Sequence, residues 1–325
     1  MVFRRSGIML QMLKRLKNLF NSEIYSELHG MRVSSGRVEI LASKAGRDSF
    51  VDLWDAEVKV FSQWGEDGIL WFLCDVLEIS KPRILEIGSG NFTECNSRFL
   101  AEARNAAVFL VDSRSDLISE LSKLDLLWKN NISALETWVT PSNANSIACQ
   151  ARKQLGSIDI LSLDIDGIDY WVMSEIDLSQ ISIIVVEYNP TFGSRYAFTV
   201  PKSESFDRTT AHYSWLYFGV SLRAWVDFFE RKEFMFVGTD RVGNNAFFVS
   251  RMSDEIFKYI NRPDATLEKY VDWQVRESRD EHGRLNYLDL ESARSSIQEC
   301  EISRISQNQI ITSCTIRSLG NLTFE

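Results

Sequence analysis

The sequence predicts an α/β fold: a mostly parallel seven-stranded sheet, covered by helices, that ends in an antiparallel hairpin. Two observations carry that prediction. Short β-branched runs at Arg83–Ile87, Ala107–Asp112, 134–139, 158–165 and 181–187 alternate with helix-period segments, and such alternation builds a parallel sheet. After a helical stretch at 220–232, the strands 234–238 and Asn245–Ser250 are separated by only six residues, too few for a parallel crossover, so they pair antiparallel.

The flanks read differently. Residues 1–59 form a helical, partly loose leader, because Ser34-Ser-Gly36 and Lys44-Ala-Gly-Arg47 interrupt the periodicity. Its first 22 residues hold Arg4, Arg5, Lys14, Arg15 and Lys17 and no acid, opposite an apolar face of Ile8, Leu10, Met12, Leu13, Leu16, Leu19 and Phe20. Two readings stand: peripheral contact with an anionic membrane surface or a partner, or a terminal helix packed on the domain. Residues 60–251 form the core domain, and 252–325 a helical, polar C-terminal extension with a turn at Glu281-His-Gly283. Within it, Arg276-Glu-Ser-Arg279-Asp280 is either a diphosphate clamp or a solvated charged face.

A formal net charge of −9 argues against a nucleic-acid binder, which needs a basic face. Five cysteines without metal-ligand spacing, with Cys74, Cys95 and Cys149 in predicted helices, point to reduced thiols. No apolar run of bilayer length and no signal peptide is present, so the expected location is cytoplasmic. A second copy of the chain is among the expected partners.

The strand at 83–87 enters Gly88-Ser-Gly90, where glycines let backbone approach a ligand and the following helix N-terminus favours a carboxylate or phosphate. Thr93 stands where a dinucleotide fingerprint has a third small residue, which favours a smaller, amino-acid-like ligand. Asp112, 22 residues beyond Gly90, closes the second strand, where a carboxylate accepts hydrogen bonds from both ribose hydroxyls.

Phe61-Ser-Gln-Trp-Gly-Glu-Asp67, Leu85-Glu-Ile-Gly-Ser-Gly90 and Leu163-Asp-Ile-Asp-Gly167 resemble the FkbM-like methyltransferases over residues 60–251. That resemblance implies a Rossmann-like class I methyltransferase fold and O-methylation of a sugar or glycan precursor with S-adenosylmethionine as cofactor. It also implies that Gln63, Glu66 and Asp67 belong to a helix capping the cofactor, that Glu86 contacts the methionine end, and that Asp112 holds the ribose. Asp166 stands where the family's motif carries glutamate. Read from the residues alone, Ser62 and the acids at 66 and 67 also make an ordinary helix start.

Methyl transfer to a hydroxyl needs a base or a metal ion. Two strand ends offer acids: Asp164, Asp166 and Asp169 after the fourth strand, and Glu187 with Asn189 after the fifth. Alternation puts Asp164 and Asp166 on one face, where with Glu187 they bind a divalent cation or share a proton as a base; equally, they cap the next helix. Some sugar O-methyltransferases that resemble this chain need magnesium, and their Asp-Gly-Asp-x-Tyr stretch is similar to residues 164–170. Between Pro190 and Gly219 lies an aromatic-rich stretch without clear period, holding Phe192, Tyr196, Phe198, Phe206, Tyr213, Trp215, Tyr217, Phe218 and His212. It reads as a lid over a sugar with His212 as general base, or as a loop anchored in the core. Competing functions are a catalytically inactive scaffold and a nicotinamide-dependent oxidoreductase, the latter disfavoured by Thr93 and the terminal hairpin.

Overall fold

The computed structural model describes residues 24, 27–43, 45, 50, 52–124, 127, 129–263, 278–306 and 309–317. The basic stretch of residues 1–22 and Lys44, Gly46 and Arg47 lie outside them. Helix α1 (27–43) is followed by α2 (Glu66–Val76), β1 (Arg83–Ile87), α3 (Arg98–Arg104), β2 (Ala107–Asp112), α4 (Leu117–Lys123), β3 (Ile132–Glu136), α5 (Pro141–Leu155), β4 (Ile160–Leu163), α6 (Asp169–Glu175) and β5 (Ile183–Glu187). Then come β6 (Phe198–Thr199), α7 (Arg208–Ala211), α8 (Leu222–Arg231), β7 (Phe234–Thr239), β8 (Asn245–Ser250), α9 (Leu290–Ser296), β9 (Glu301–Ser306) and β10 (Gln309–Thr315).

Seven strands form one sheet in the order β3-β2-β1-β4-β5-β8-β7. Only β8 runs antiparallel, pairing with β5 on one side and β7 on the other. The Rossmann-like class with a terminal hairpin is therefore the fold of this chain. Alternation divides its core in two: Leu85, Ile87, Ile184 and Val186 face α5, α6 and α8, whereas Ile84, Ile183 and Val185 face α2, α3 and α4. The chain moves outward from β1 to β3, then returns to start β4 on the other side of β1. This reversal leaves a crevice at the C-terminal ends of β1 and β4, where open α/β sheets bind ligands.

Local chemistry sets the helices that flank it. Thr140 and Asn143 form a capping box around Pro141 at the start of α5, and Ser221 caps α8 by accepting from the Ala224 N–H. Along α8, Leu222, Trp225, Val226 and Phe229 recur at helical spacing and are all buried.

Three expectations are corrected. Helix α1 runs unbroken through Ser34-Ser-Gly36, because Gly36 is a packing contact: a Cβ there would lie 2.4 Å from Val60 Cγ2. The extension beyond 252 is not simply helical, since β9 and β10 pair antiparallel and join β6 in a second, three-stranded sheet. Glu301-Ile-Ser-Arg-Ile-Ser306 has no period-two alternation: Ile302 and Ile305, three residues apart, are both buried in the main core, and Ser303 between them is buried as well. The tail thereby clamps the stretch between Pro190 and Gly219. All five cysteines are free thiols, and Cys95 lies in a loop rather than a helix. No helix among the described residues is long and apolar enough to cross a membrane.

Trp225 is fully buried, stacks on Phe229 and donates its Nε1–H to the Glu187 carbonyl at 2.8 Å. Trp225→Ala should lower unfolding free energy by about 3–5 kcal/mol in urea titrations. A loss below ~1 kcal/mol contradicts its place as the keystone between α8 and β5.

Candidate active site

A cleft of about 630 Å³ opens at the sheet's C-terminal edge, within the size range of small-molecule sites. Gln63, Glu66, Glu86, Gly88, Gly90, Asp112, Asp164 and Asp166 all line it. Gly88 takes φ +88°, and a Cβ there would sit 1.5 Å from the Asp164 carbonyl oxygen, so only glycine lets the end of β1 lie against the end of β4. Gly90, at φ +57°, donates its N–H to Asp112 Oδ2 at 2.7 Å, while Asp112 Oδ1 accepts from the Arg114 N–H at 3.0 Å.

The segment beyond the glycines differs from the expected strand-turn-helix. Helix α3 starts only at Arg98, and residues 91–97 form a loop held by Glu86, whose carboxylate accepts the N–H groups of Asn96 (2.7 Å) and Ser97 (3.1 Å). No helix N-terminus therefore opens at the glycine turn, and the geometry that holds a pyrophosphate is missing. Burial raises the Glu86 carboxyl above its ordinary value.

The Phe61–Asp67 motif divides into two parts. Glu66 Oε1 accepts from the Asn245 side-chain amide at 2.7 Å, and its Oε2 accepts the N–H groups of Trp64 and Gly65, at the cleft wall. Asp67 does not line the cleft. Its Oδ2 accepts from the N–H groups of Val60, Phe61 and Ser62 and from Ser62 Oγ, which closes the turn before α2. Capping thus accounts for the position of Asp67.

On the other side of Gly88, Asp164, Asp166 and Glu187 each offer a carboxylate oxygen within 4.8 Å of the others. Burial first, and then the charges of neighbouring carboxylates, push Asp164 and Glu187 well above the usual range, which favours their protonated forms. Neither Asp164 nor Asp166 caps α6. Asp169 closes that turn, accepting from the N–H groups of Ile165 (3.0 Å) and Gly167 (2.9 Å). Asn189 points away from the acids, donating to the carbonyls of Leu216 and Phe218 at 2.9 Å.

The stretch between Pro190 and Gly219 reaches the cleft by two side chains. Arg208, on α7, pairs with Asp166 while its guanidinium lies 4.2 Å from the centroid of Phe218, and Phe206 forms part of the cleft wall. Phe192, Phe198, Tyr217 and Phe218 are buried and anchor the loop in the core instead. His212 does not line the cleft: its Nδ1 pairs with Ser214 Oγ at 2.8 Å and its ring lies 4.3 Å from that of Tyr213. Burial lowers its pKa. At the tail, Arg279 lies over the Trp215 ring at 4.4 Å, while Arg276 and Glu277 fall outside the described residues.

Phe206 is the aromatic of the 190–219 stretch that lines the cleft, whereas sequence reasoning missed Arg208, Trp138 and Asn245. An arginine among hydroxyls and aromatics carries no spacing signal, and only the return of the loop over residues 164–167 brings it to the acids. Trp138 follows β3 and is half exposed at the cleft mouth, where its Nε1–H donates to the Glu204 carbonyl at 3.1 Å.

No protein-family model matches the chain, and no curated protein matches it. Among solved structures it is similar to TehB from Haemophilus influenzae, at 14% identity over 54% of this chain and 61% of that one, with TM-score 0.32. It is similar to a chain of a fibrillarin/Nop5p complex at 11% identity, over 62% and 90%, with TM-score 0.33. A Klebsiella pneumoniae protein described as an O-methyltransferase is similar at 14% identity, over 55% and 78%, with TM-score 0.32. The chain spans less than two thirds of the TehB length.

The buried acids around the cleft set a pH dependence of stability. Burial raises Asp67 to about 6, Asp169 to about 6 and Glu57 to about 7. Between the ordinary carboxylate range and those values the folded chain binds protons that the unfolded chain has released, so stability rises as pH falls from 8 towards 6. Thermal unfolding should give a Tm about 2–6 °C higher at pH 6 than at pH 8; an equal or lower Tm at pH 6 contradicts the burial of these groups.

Proposed function

We propose that the chain is an S-adenosylmethionine-dependent O-methyltransferase acting on a hydroxyl of a sugar or glycan precursor. The observation that carries this reading is one cleft with two chemically distinct halves, joined where Gly88 meets Asp164. One half suits a nucleoside bearing an amino acid, and the other a hydroxyl that must lose a proton.

When bound, S-adenosylmethionine supplies an electrophilic methyl group on its sulfonium. In the nucleoside half, a carboxylate has about four acceptor positions, so Asp112 keeps capacity for ribose hydroxyls beyond the N–H groups of Gly90 and Arg114. Gln63, Glu66 and Glu86 wall the end nearer β4, which suits the methionine portion. The missing helix N-terminus at Gly90 argues against a nicotinamide dinucleotide.

In the second half, Asp164 and Glu187 would share a proton, and the deprotonated member would accept the proton of the acceptor hydroxyl; the cofactor would supply the methyl group to that oxygen with cleavage of its sulfonium C–S bond, leaving S-adenosylhomocysteine. The spacing of Asp164, Asp166 and Glu187 favours a second reading, in which they hold a divalent cation such as Mg2+ through oxygen ligands. Arg208 would then have to yield its place on Asp166. Trp138 and Phe206 offer apolar faces to the C–H surface of a sugar ring at the mouth.

The direct test is transfer of labelled methyl from S-adenosylmethionine to a panel of hexoses, nucleotide sugars and oligosaccharides. Label recovered as a methyl ether supports the reading; cofactor binding without transfer to any acceptor supports an inactive scaffold instead. Glu187→Gln should reduce turnover by about 10²–10⁴-fold while leaving S-adenosylhomocysteine affinity within about threefold. Loss of wild-type turnover in chelator with recovery in magnesium selects the cation reading; indifference to chelator selects the shared proton. Asp112→Ala should weaken S-adenosylhomocysteine binding by ~1–3 kcal/mol, and unchanged affinity in the folded variant removes Asp112 from the ribose site.

A further inference from the structure

Helix α1 presents two apolar stripes on opposite faces, and the domain covers only one. His29, Val33, Gly36 and Ile40 face inward against Val60, Phe61, Phe99 and Ala103. On the far side Leu28, Met31, Val38 and Leu41 are exposed by 57, 67, 65 and 65%, and Ile24 by 41%. Such exposure on a helix that is already anchored to its domain calls for a partner.

All of these but Leu41 follow a seven-residue repeat. Positions 24, 31 and 38 are Ile, Met and Val, and positions 28, 35 and 42 are Leu, Ser and Ala, which is the a/d pattern of a two-stranded coiled coil. In that register Glu27 takes position g and Arg32 position e. In a parallel pair, each g residue meets the e residue five positions on in the other helix, so Glu27 of one copy meets Arg32 of the second copy, and the reverse. Arg32 lies between the two faces, with its guanidinium 4.6 Å from the Phe61 ring centroid on the covered side, and would swing outward to meet Glu27 of the second copy. The acids Glu27 and Glu39 border the stripe most closely, which disfavours an anionic bilayer as its occupant. A 17-residue helix spans only about 25 Å.

We infer that the exposed stripe of α1 is a homodimer interface, a parallel helix pair in which Leu28, Met31 and Val38 meet their counterparts and Glu27 pairs with Arg32 across the two-fold axis. Seated this way, each domain lies on the outer face of its own helix and both clefts stay open.

Light scattering after size exclusion, at tens of micromolar full-length chain, should give twice the 37.4 kDa chain mass. Met31→Glu combined with Val38→Glu should give the single-chain mass with the wild-type circular-dichroism spectrum, and a Tm that, unlike the wild type's, does not change with protein concentration. Glu27→Arg should raise the dimer dissociation constant by about three- to tenfold, and adding Arg32→Glu should restore it. A wild-type chain of single mass, or a dimer indifferent to Met31→Glu/Val38→Glu, overturns the interface; failure of the double charge reversal overturns the parallel pairing. A monomer that sediments with phosphatidylserine vesicles, and is released from them by the same two glutamates, assigns the stripe to lipid and overturns the proposal.

Discussion

There is no room for a methyl group between Gly88 and the carbonyl oxygen of Asp164, and much of the candidate site depends on that contact. It lets the ends of β1 and β4 lie side by side at the point where the strand order reverses. The turn that carries Gly90 then faces Asp112 on one side and the acids at 164, 166 and 187 on the other, so the two halves of the cleft share one floor. Substituting Gly88 would have to push apart two paired strands, a displacement that close-packed interiors resist.

Around this contact the fold uses most of its buried carboxylates to hold its own backbone. Asp67 holds the turn before α2, Glu86 the loop at 91–97, Asp169 the start of α6, and Asp240 the N–H groups of Asn244 and Asn245 in the terminal hairpin. A carboxylate replaces water for several donors at once, which offsets the cost of burying both partners. Asp164 and Glu187 are exceptions, set against each other rather than against backbone donors. Groups whose burial is not repaid by backbone hydrogen bonds mark where a ligand is expected to complete the arrangement.

The sheet was legible because its strands are short, β-branched and separated by helix-period segments, and because six residues between the last two strands admit only a hairpin. The glycine turn and Asp112 were legible because position within strand, turn and strand determines where they face. Side-chain roles were less so. The sequence around Asp67 reads alike whether the carboxylate meets a ligand or caps a turn, and only its hydrogen bonds to residues 60–62 decide between them. His212 invited a catalytic reading by its rarity and loop position, yet its distance from the acids depends on how the loop folds. Arg208 was invisible for the same reason. The strands β9 and β10 were hidden by a polar composition with no apolar alternation, and the meeting of β9 with β6 joins residues about 100 positions apart.

The central claim is that the cleft holds a single nucleoside linked to an amino acid, not a dinucleotide. Calorimetric titration of the wild-type chain with S-adenosylhomocysteine and, separately, with NAD tests it most directly. Saturable binding of S-adenosylhomocysteine in the micromolar range, with no heat from NAD, is the predicted result; saturable NAD binding with none for S-adenosylhomocysteine would contradict the account.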